Sequence, residues 1–467
     1  MITGRTFRIN PTARQRQILL QWIGHQRYIY NAKTREDLHS RQAFYLYGVS
    51  LPITQKYSHL ITPETPWLRD VPSQILRNGA TRWKQAYDRF FSGLGNRPTI
   101  HSNRGKQSVW ITEELFSFRY DEKTHKKELW LGTKKFPIGF IPVNDHREFF
   151  PPKSLHISVQ NGKWSLSFSF DDGSELLNEK ETLNQLKKLA EQELLSSTVG
   201  FDRGVVIPVM ASTGKQVCIE PVCLDRIKAK EVRRKRYQRR LQRQAKGSKN
   251  RRKTIDKISK TYTYSKNVRK DTAHKGSCFF ATDAKTKLFV VEKLKIQNMV
   301  SKPKPKKDDN GKFLPNGAKA KAVLNKAIMG SFWGLFVSFL RYKAAKNGKL
   351  LVEVEPHFSS QECSACEYIH ADNRRSQDLF VCQRCGHMDN ADHNASLVIA
   401  KRGVRLVLSP NEISPSGKRT MKRVRGGIPQ SVCGEAIKTL SVKNSMRAST
   451  KQKTPIVRLE APTTASA

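Results

Sequence analysis

Apolar and polar residues alternate through the first ten positions, with Ile2, Phe7 and Ile9 among polar neighbours, which predicts a short strand. Pro11-Thr12 then opens a helix in which Leu19, Leu20, Trp22, Ile23, Tyr28, Ile29 and Tyr30 fall at helical spacing. A second helix starts at Pro72-Ser73, carries Ile75, Leu76, Ala80, Trp83, Ala86, Tyr87, Phe90 and Phe91, and ends in the stretch 93–98. Over 108–170 the period drops to two, and Asn161-Gly162 sits between two alternating runs as a hairpin turn. This segment reads as a small antiparallel β module, followed by a helical connector over 171–198.

A buried-strand pattern begins at Val199 and runs to Val209. Residues 226–275 read as basic helix, and Leu288 to Val291 as an apolar strand closed by Glu292. The stretch 301–319, rich in Pro, Gly and Lys, reads as a mobile loop. Val323 to Asn347 is expected as one long amphipathic helix, with Leu324, Ile328, Trp333, Phe336, Leu340 and Ala344 on or near one face. Leu350 to Val354 is a strand, and 401–467 read as a disordered basic tail. No internal repeat is visible.

Composition changes this picture in one direction. The chain has 467 residues with 85 Lys plus Arg against 40 Asp plus Glu, a formal charge of +45. The block 226–275 holds 21 Lys or Arg against Glu231, Asp256 and Asp271, a net of +18. The tail 401–467 holds 14 against 3. Such charge implies a polyanionic partner, and nucleic acid is the abundant one. Hydrophobic residues at 37% exclude wholesale disorder. The length implies about two to four modules. The first ten residues lack the apolar run of a signal peptide, and Phe332 to Leu340 is too short to cross a bilayer, so no membrane is expected.

Cys363 and Cys366, then Cys382 and Cys385, form two C-x-x-C pairs fifteen residues apart. That spacing fits a four-thiolate zinc ribbon, and a closed thiolate shell points to a structural ion. His370 and His387 lie close, but four thiolates already complete the shell. Cys218, Cys223, Cys278 and Cys433 show no metal spacing and read as ordinary buried or tail residues. Three acids stand out by position: Asp202 beside Gly204 in an apolar run, Glu292 at a strand end, and Asp392 opening a helix after the ribbon. Carboxylates so placed can converge on a pair of Mg2+ ions about 4 Å apart, an arrangement that supports phosphodiester hydrolysis.

These motifs carry a resemblance. The chain resembles the TnpB family, transposon-encoded RNA-guided nucleases related to compact type V CRISPR effectors. VGFDRG at 199–204 is similar to the first RuvC motif, and VEKLKIQNM at 291–299 to the second. SSQECSACE at 359–367 and FVCQRCGHMDNADHNAS at 380–396 are similar to the zinc ribbon and third RuvC motif. FRINPT at 7–12, RYIYN at 27–31, VPSQIL at 71–76, KGSKNRRK at 246–253 and the 267–275 segment extend the match to nearly the whole chain.

The resemblance implies a multidomain α+β and α/β protein. An RNase H-like RuvC domain would span 198–358 and 387–400, with a zinc-ribbon target-binding module at 359–386. A wedge-like antiparallel β-barrel domain would span 1–10 and 96–180, a helical recognition domain 11–95, a linker 181–197 and the tail 401–467. Asp202, Glu292 and Asp392 would be the catalytic acids and Mg2+ ligands, and the four cysteines would hold zinc. The implied partners are a guide RNA from the transposon end and matching double-stranded DNA, bound by one protein per RNA in a prokaryotic cytoplasm, on the nucleoid when engaged. Arg27, Tyr28, Asn31, Ser73, Gln74 and Arg77 are candidates for the motif flanking the target. Arg239, Arg240, Lys249, Arg251, Arg252, Lys270, His274 and Lys275 are candidates for RNA or heteroduplex phosphates. The loop 301–319 would be a lid.

Three positions depart from the family pattern: Asn390 where many relatives have Asp, Glu367 where Gly is common, and Phe201 where an aliphatic residue is usual. None removes a catalytic carboxylate. The rival functions are an RNA-guided repressor without cutting and a transposase or transposase accessory acting without RNA. The intact acids disfavour the first. The absence of a separate helix-turn-helix in the sequence pattern disfavours the second.

Overall fold

The structure is a computed structural model that describes residues 2–49, 54–104, 106–122, 126–173, 178–376 and 378–409. Strand β1 (Ile2–Ile9) buries Phe7 and Ile9. Thr12 then caps helix α1 (Ala13–Tyr47) with a capping box, Gln15 answering its backbone N–H at 2.9 Å. Helix α2 (Ser73–Phe91) starts after Pro72 as the sequence predicts. It crosses α1 closely because Gly79 has no side chain; a Cβ there would lie 2.7 Å from the Gln26 carbonyl.

Strands β2 (Gln107–Thr112), β3 (Phe116–Asp121), β4 (Lys126–Gly132), β5 (Pro137–Asn144), β6 (Ser154–Gln160) and β7 (Lys163–Asp171) join β1 in a sheet ordered β2-β6-β7-β1-β5-β4-β3, with every pair antiparallel. Asn161 and Gly162 take φ of 53° and 77°, the left-handed pair that a tight hairpin needs. β2 and β3 are the outer strands of this order, yet one helical turn, Glu113–Leu115, joins them in the chain. The sheet therefore rolls until its edges meet at the buried Leu115. No β2–β3 ladder closes the expected barrel among the described residues.

The expected separation of recognition helices from β module does not hold. Leu19, Trp22 and Ile23 of α1 and Ile75 and Leu76 of α2 share one core with Ile111, Ile141, Leu155 and Leu166 of the sheet. The reason is physical: an apolar helix stripe and an apolar sheet face each need the other for burial.

Helices α3 (Glu179–Leu186) and α4 (Glu191–Ser196) lead into the second sheet. Strands β8 (Thr198–Asp202), β9 (Val209–Ala211) and β10 (Gln216–Val217) form an antiparallel meander. The basic helices α5 (Pro221–Gln242) and α6 (Lys249–Thr282) follow, then β11 (Leu288–Glu292), parallel to β8. After the short helix α7 (Ile296–Met299), the loop predicted as mobile holds a small hairpin of β12 (Lys306–Lys307) and β13 (Phe313–Leu314).

The long helix expected at 323–347 is two helices, α8 (Ala318–Gly330) and α9 (Trp333–Lys346). The break falls at Phe332, whose φ of 53° cannot continue a helix and whose ring is buried. The stretch Ala318–Lys346 has the length and apolar character of a membrane span, but it breaks at Phe332, and Trp333, Phe336 and Leu340 of α9 are buried in the core. Strand β14 (Leu350–Val354) completes the sheet as β10-β9-β8-β11-β14, parallel to β11.

Alternating strand residues face opposite layers. Phe201, Phe289, Val291 and Leu351 pack on α6 and α9 through Phe280, Phe336 and Leu340. The unusual Phe201 fills this layer, its ring 4.8 Å from Phe280 and 5.3 Å from Phe336. On the other face Leu288, Val290 and Leu350 meet Leu186, Leu194, Ile399 and Val404. Residues 181–197, expected as a linker, are therefore part of this layer. The two-stranded ribbon β15 (Leu379–Val381) and β16 (Met388–Asn390) leads into helix α10 (Ala391–Leu408). α10 runs eight residues beyond the predicted end at 400, because its last turns still bury Val404 and Val407. The predicted tail from 410 onward, with Cys433, lies outside the described residues.

Candidate nuclease centre, zinc ribbon and nucleic-acid surfaces

β8 and β11 run parallel with Phe201 opposite Val291, so Asp202 and Glu292 end adjacent strands at the same level. α10 packs across them by backbone. At Gly200 an added Cβ would lie 2.2 Å from the Ser396 carbonyl, and at Gly403 it would lie 2.1 Å from a Val290 methyl. This close approach brings Asp392, in the first turn of α10, to the same point. Asn390 caps the helix, its side-chain oxygen accepting from the N–H groups of Asp392 and His393, each at 3.1 Å. The departure from Asp thus keeps a side chain that caps equally well.

The electrostatics report the convergence. Burial, then the charges of Glu292 and Asp392, push the Asp202 carboxyl up to about 7; the Arg203 backbone N–H and Arg374 oppose that rise. Burial also raises Asp392, against the pull of Arg374, which donates to its Oδ1 at 3.0 Å. Glu292 is buried and accepts from the Ser359 hydroxyl at 2.7 Å. Three carboxylates against two guanidiniums, Arg374 on Asp392 and the buried Arg203 beside Glu292 and Asp202, leave the site net negative, and an all-oxygen donor set fits Mg2+.

Sequence reasoning missed three supporting residues. Arg203 is buried and donates to the Glu292 carbonyl. Trp333 Nε1 donates to the Gly204 carbonyl at 3.0 Å and holds the turn after Asp202. Arg374 reaches Asp392 from the ribbon. Arg203 lay inside the quoted first RuvC motif, and the Glu292 partner Ser359 opens the quoted zinc-ribbon stretch 359–367; nothing in the spacing marked Trp333 or Arg374 for these contacts.

The four cysteine sulfurs lie within 4.8 Å of one another, with Cys363–Cys385 at 3.7 Å and Cys366–Cys382 at 3.5 Å. A tetrahedral ion with Zn–S bonds of about 2.3 Å requires edges of about 3.8 Å, so the site fits zinc. The two knuckles are built alike. Cys363 N–H donates to the Tyr368 carbonyl at 3.0 Å and Cys382 N–H to that of His387 at 2.9 Å. Glu367 N–H donates to the Cys363 carbonyl at 2.9 Å and Gly386 N–H to that of Cys382 at 3.1 Å. Gly386 takes φ of 72° and Glu367 takes 63°. The second value is one that glycine adopts most readily; here Arg405 of α10 pairs with the Glu367 carboxylate. Burial pushes the Cys363 thiol up to about 12. Burial raises the Cys382 thiol, but the backbone N–H groups of Cys385 and Arg384, together with the Cys366 and Cys385 thiols, bring it down to about 6. Cys218 and Cys278 are exposed rather than buried.

The nucleic-acid candidates divide. Arg239, Arg240, Lys249, Arg252 and Lys270 stand exposed on the α5–α6 pair. Lys275 is exposed and pairs with Asp271 at 3.0 Å. Arg251 instead caps the C-terminus of α5, donating to the Leu241 carbonyl and to that of Gln244 at 2.9 Å. The ring of His274 stacks on Phe339 at 3.8 Å, and its pKa is lowered by burial first and then by Lys343. Among the flanking-motif candidates, Ser73 and Arg77 are exposed and Gln74 is half-buried. Arg77 is engaged with Glu114 at 2.7 Å. Tyr28 meets Trp67 edge-on at 4.8 Å. The Asn31 amide bonds both backbone groups of His101, at 2.9 and 2.8 Å. Arg27 is half-buried and donates to Gln107.

Comparison with known proteins gives the following. Residues 175–302, which hold Asp202 and Glu292, match a family model described as "Probable transposase". Residues 333–399, which hold the four cysteines and Asp392, match "Cas12f1-like, TNB domain". Residues 1–36 match a model described as "Helix-turn-helix domain", although this segment is a strand and part of one uninterrupted helix. The chain is 27% identical over 418 residues to the "Putative RNA-guided DNA endonuclease InsQ" of Escherichia coli strain K12, covering 88% of this chain and 94% of the relative. It is 24% identical over 441 residues to a "Putative RNA-guided DNA endonuclease" of Streptomyces pristinaespiralis, covering 91% and 97%. A solved complex of Cas12f1 with its guide RNA and target DNA aligns at a TM-score of 0.49 and 12% identity, over 86% of this chain and 98% of that one.

Proposed function

We propose that this chain is a member of the TnpB family, an RNA-guided DNA endonuclease with a Mg2+-dependent RuvC centre at Asp202, Glu292 and Asp392. The observation that carries the reading is the convergence of these three acids from two parallel strand ends and one helix start, with Asp202 raised by burial and then by the charges of the other two. Bound Mg2+ would activate water and neutralise charge on the leaving oxygen of the cut phosphodiester. The chain's own groups do the rest. Ser359 and the Arg203 guanidinium hold Glu292 from its side chain and its backbone. Asn390 fixes the first turn of α10 and so aims Asp392. The zinc ribbon supports the centre from one side, since its Arg374 bonds Asp392.

In this reading one protein binds a guide RNA from the element's end, and pairing to the guide selects double-stranded DNA beside a short flanking motif. The exposed cations of α5 and α6 grip RNA or heteroduplex phosphates. The protein acts in the cytoplasm, on the nucleoid when engaged. The test is a plasmid assay with protein purified alongside its co-expressed RNA. Plasmids carry a guide-matched target beside a randomised flank. We expect linear product only with RNA, matched target and Mg2+. Cutting that survives removal of RNA would contradict guidance and favour a transposase. Tight RNA-dependent binding without cutting by wild type would favour a repressor.

A further inference from the structure

Helix α10 grips the first zinc knuckle. Asn394, fully buried, donates through Nδ2 to the Glu362 carbonyl at 2.8 Å and accepts through Oδ1 from the Ser364 N–H at 2.9 Å. Its amide therefore straddles Cys363, fixing the backbone on each side of a zinc ligand that is itself fully buried. Farther along α10, Lys401 donates to the Ser364 carbonyl at 2.6 Å, Arg402 pairs with the Glu362 carboxylate, and Arg405 pairs with that of Glu367. Of the four, only Asn394 stands in the first turn of the helix, two residues after Asp392. The same turn is tied to β8 as well: the His393 ring lies 3.3 Å from the Ser212 carbonyl, and Ser212 bonds both backbone groups of Gly200, at 2.9 and 3.1 Å. Asparagine is a weak helix former, so its two bonds, not its propensity, account for its place there.

We propose that Asn394 is a positioning residue that couples the zinc site to the carboxylate centre, an inference that rests on the Mg2+-dependent reading of that centre above. Zinc on the four thiolates holds the 362–364 backbone in the shape that fits the Asn394 amide. The amide in turn fixes the first turn of α10, and with it the Asp392 carboxylate. Mg2+ demands near-ideal octahedral geometry, so a small displacement of one carboxylate weakens its binding. Each metal therefore favours the other, and the effect is reciprocal because it is one coupling free energy between two sites. Arg374 is a second link from ribbon to Asp392, but it bonds the carboxylate itself. Asn394 bonds only knuckle backbone, so replacing it leaves every ligand of both metals in place.

The test uses the full chain without nucleic acid, at constant ionic strength. Zinc affinity is measured by competition with a chromogenic zinc chelator, with and without saturating Mg2+, and Mn2+ affinity at the centre by electron paramagnetic resonance. In wild type, Mg2+ should tighten zinc binding by about fivefold or more, the low end of typical couplings. In Asn394→Ala that effect should fall below about twofold, and the zinc-loaded variant should bind Mn2+ more weakly by the factor the coupling has lost. Asn394→Asp keeps the acceptor for Ser364 and loses the donor to Glu362; it should show the same loss and carries the test if the alanine variant does not fold. Arg405→Gln, which frees the same knuckle at the surface, should keep the full effect. A wild-type zinc affinity indifferent to Mg2+ overturns the proposal, as does a full Mg2+ effect in a folded Asn394 variant or an equal loss in Arg405→Gln. If wild type binds no Mn2+, or binds it no better than Asp202→Asn does, the reading of the centre falls and this inference with it. If Mn2+ binds at the centre and zinc affinity ignores it, the inference alone falls.

Discussion

Asp202→Asn should make the protein more stable and useless as a nuclease. Asp202 rises from 3.8 to about 7 on folding, through burial and the charges of Glu292 and Asp392. An acid with a raised folded pKa holds its proton in the folded chain at pH values where the unfolded chain has released it. Stability therefore falls as pH rises from about 3.8 through about 7, and the full penalty remains above that. A shift of about three units sets a ceiling of roughly 4 kcal/mol. Asparagine removes the charge and keeps the shape. In Mg2+-free buffer the variant should exceed wild type by up to roughly 4 kcal/mol at pH 8, with the gap closing toward pH 4. Saturating Mg2+ should narrow the gap at pH 8 by stabilising wild type. The assay is urea unfolding at constant ionic strength across that range. A gap independent of pH, or a variant less stable than wild type at pH 8, refutes the electrostatic account of the centre.

Other outcomes follow from single positions. Gly386→Ala places a side chain at φ of 72° with open space around it, so thermal unfolding of the zinc-loaded protein should show a loss of about 1–2 kcal/mol. Glu367→Gly relieves the same conformation in the other knuckle but loses a surface ion pair, and should stay within about 1 kcal/mol of wild type. Gly200→Ala drives a methyl into the α10 backbone; it should cost about 1–3 kcal/mol in urea unfolding and reduce cleavage through Asp392. Ser359→Ala removes a donor to buried Glu292, and urea unfolding should fall by about 1.5–3 kcal/mol, with guide-RNA affinity unchanged. Replacing Arg239, Arg240, Lys249 and Arg252 by Gln should flatten the salt dependence of guide-RNA binding far more than deleting 411–467, although both segments are strongly basic.

The sequence made the chemistry legible where local pattern carries it. Asp202 and Glu292 each end an apolar run, so their place at strand ends followed from burial of that run. The paired C-x-x-C spacing located the ribbon, and the knuckle geometry then gave a reason for the Glu367 departure. What escaped needs three dimensions. The break at Phe332 depends on one left-handed residue whose ring the core demands, and apolar spacing is blind to it. Residues 181–197 looked like a connector because charged and polar residues are interspersed among their leucines, yet Leu186 and Leu194 close one face of the sheet. α1 and α2 looked like a separate unit because sequence does not say which face a helix stripe meets. The Arg374 contact with Asp392 joins a loop of the ribbon to α10 and leaves no periodic trace.

The central claim is that three carboxylates form one cutting centre served by a separate nucleic-acid surface. Its most direct test is the rate of target cleavage, with RNA and DNA affinity measured alongside, for Asp202→Asn, Glu292→Gln and Asp392→Asn assembled on the guide RNA. Each variant should lose cleavage by roughly three orders of magnitude or more, about 4 kcal/mol of barrier, while binding RNA and target within a few-fold of wild type. Any one of the three cutting at the wild-type rate contradicts the account.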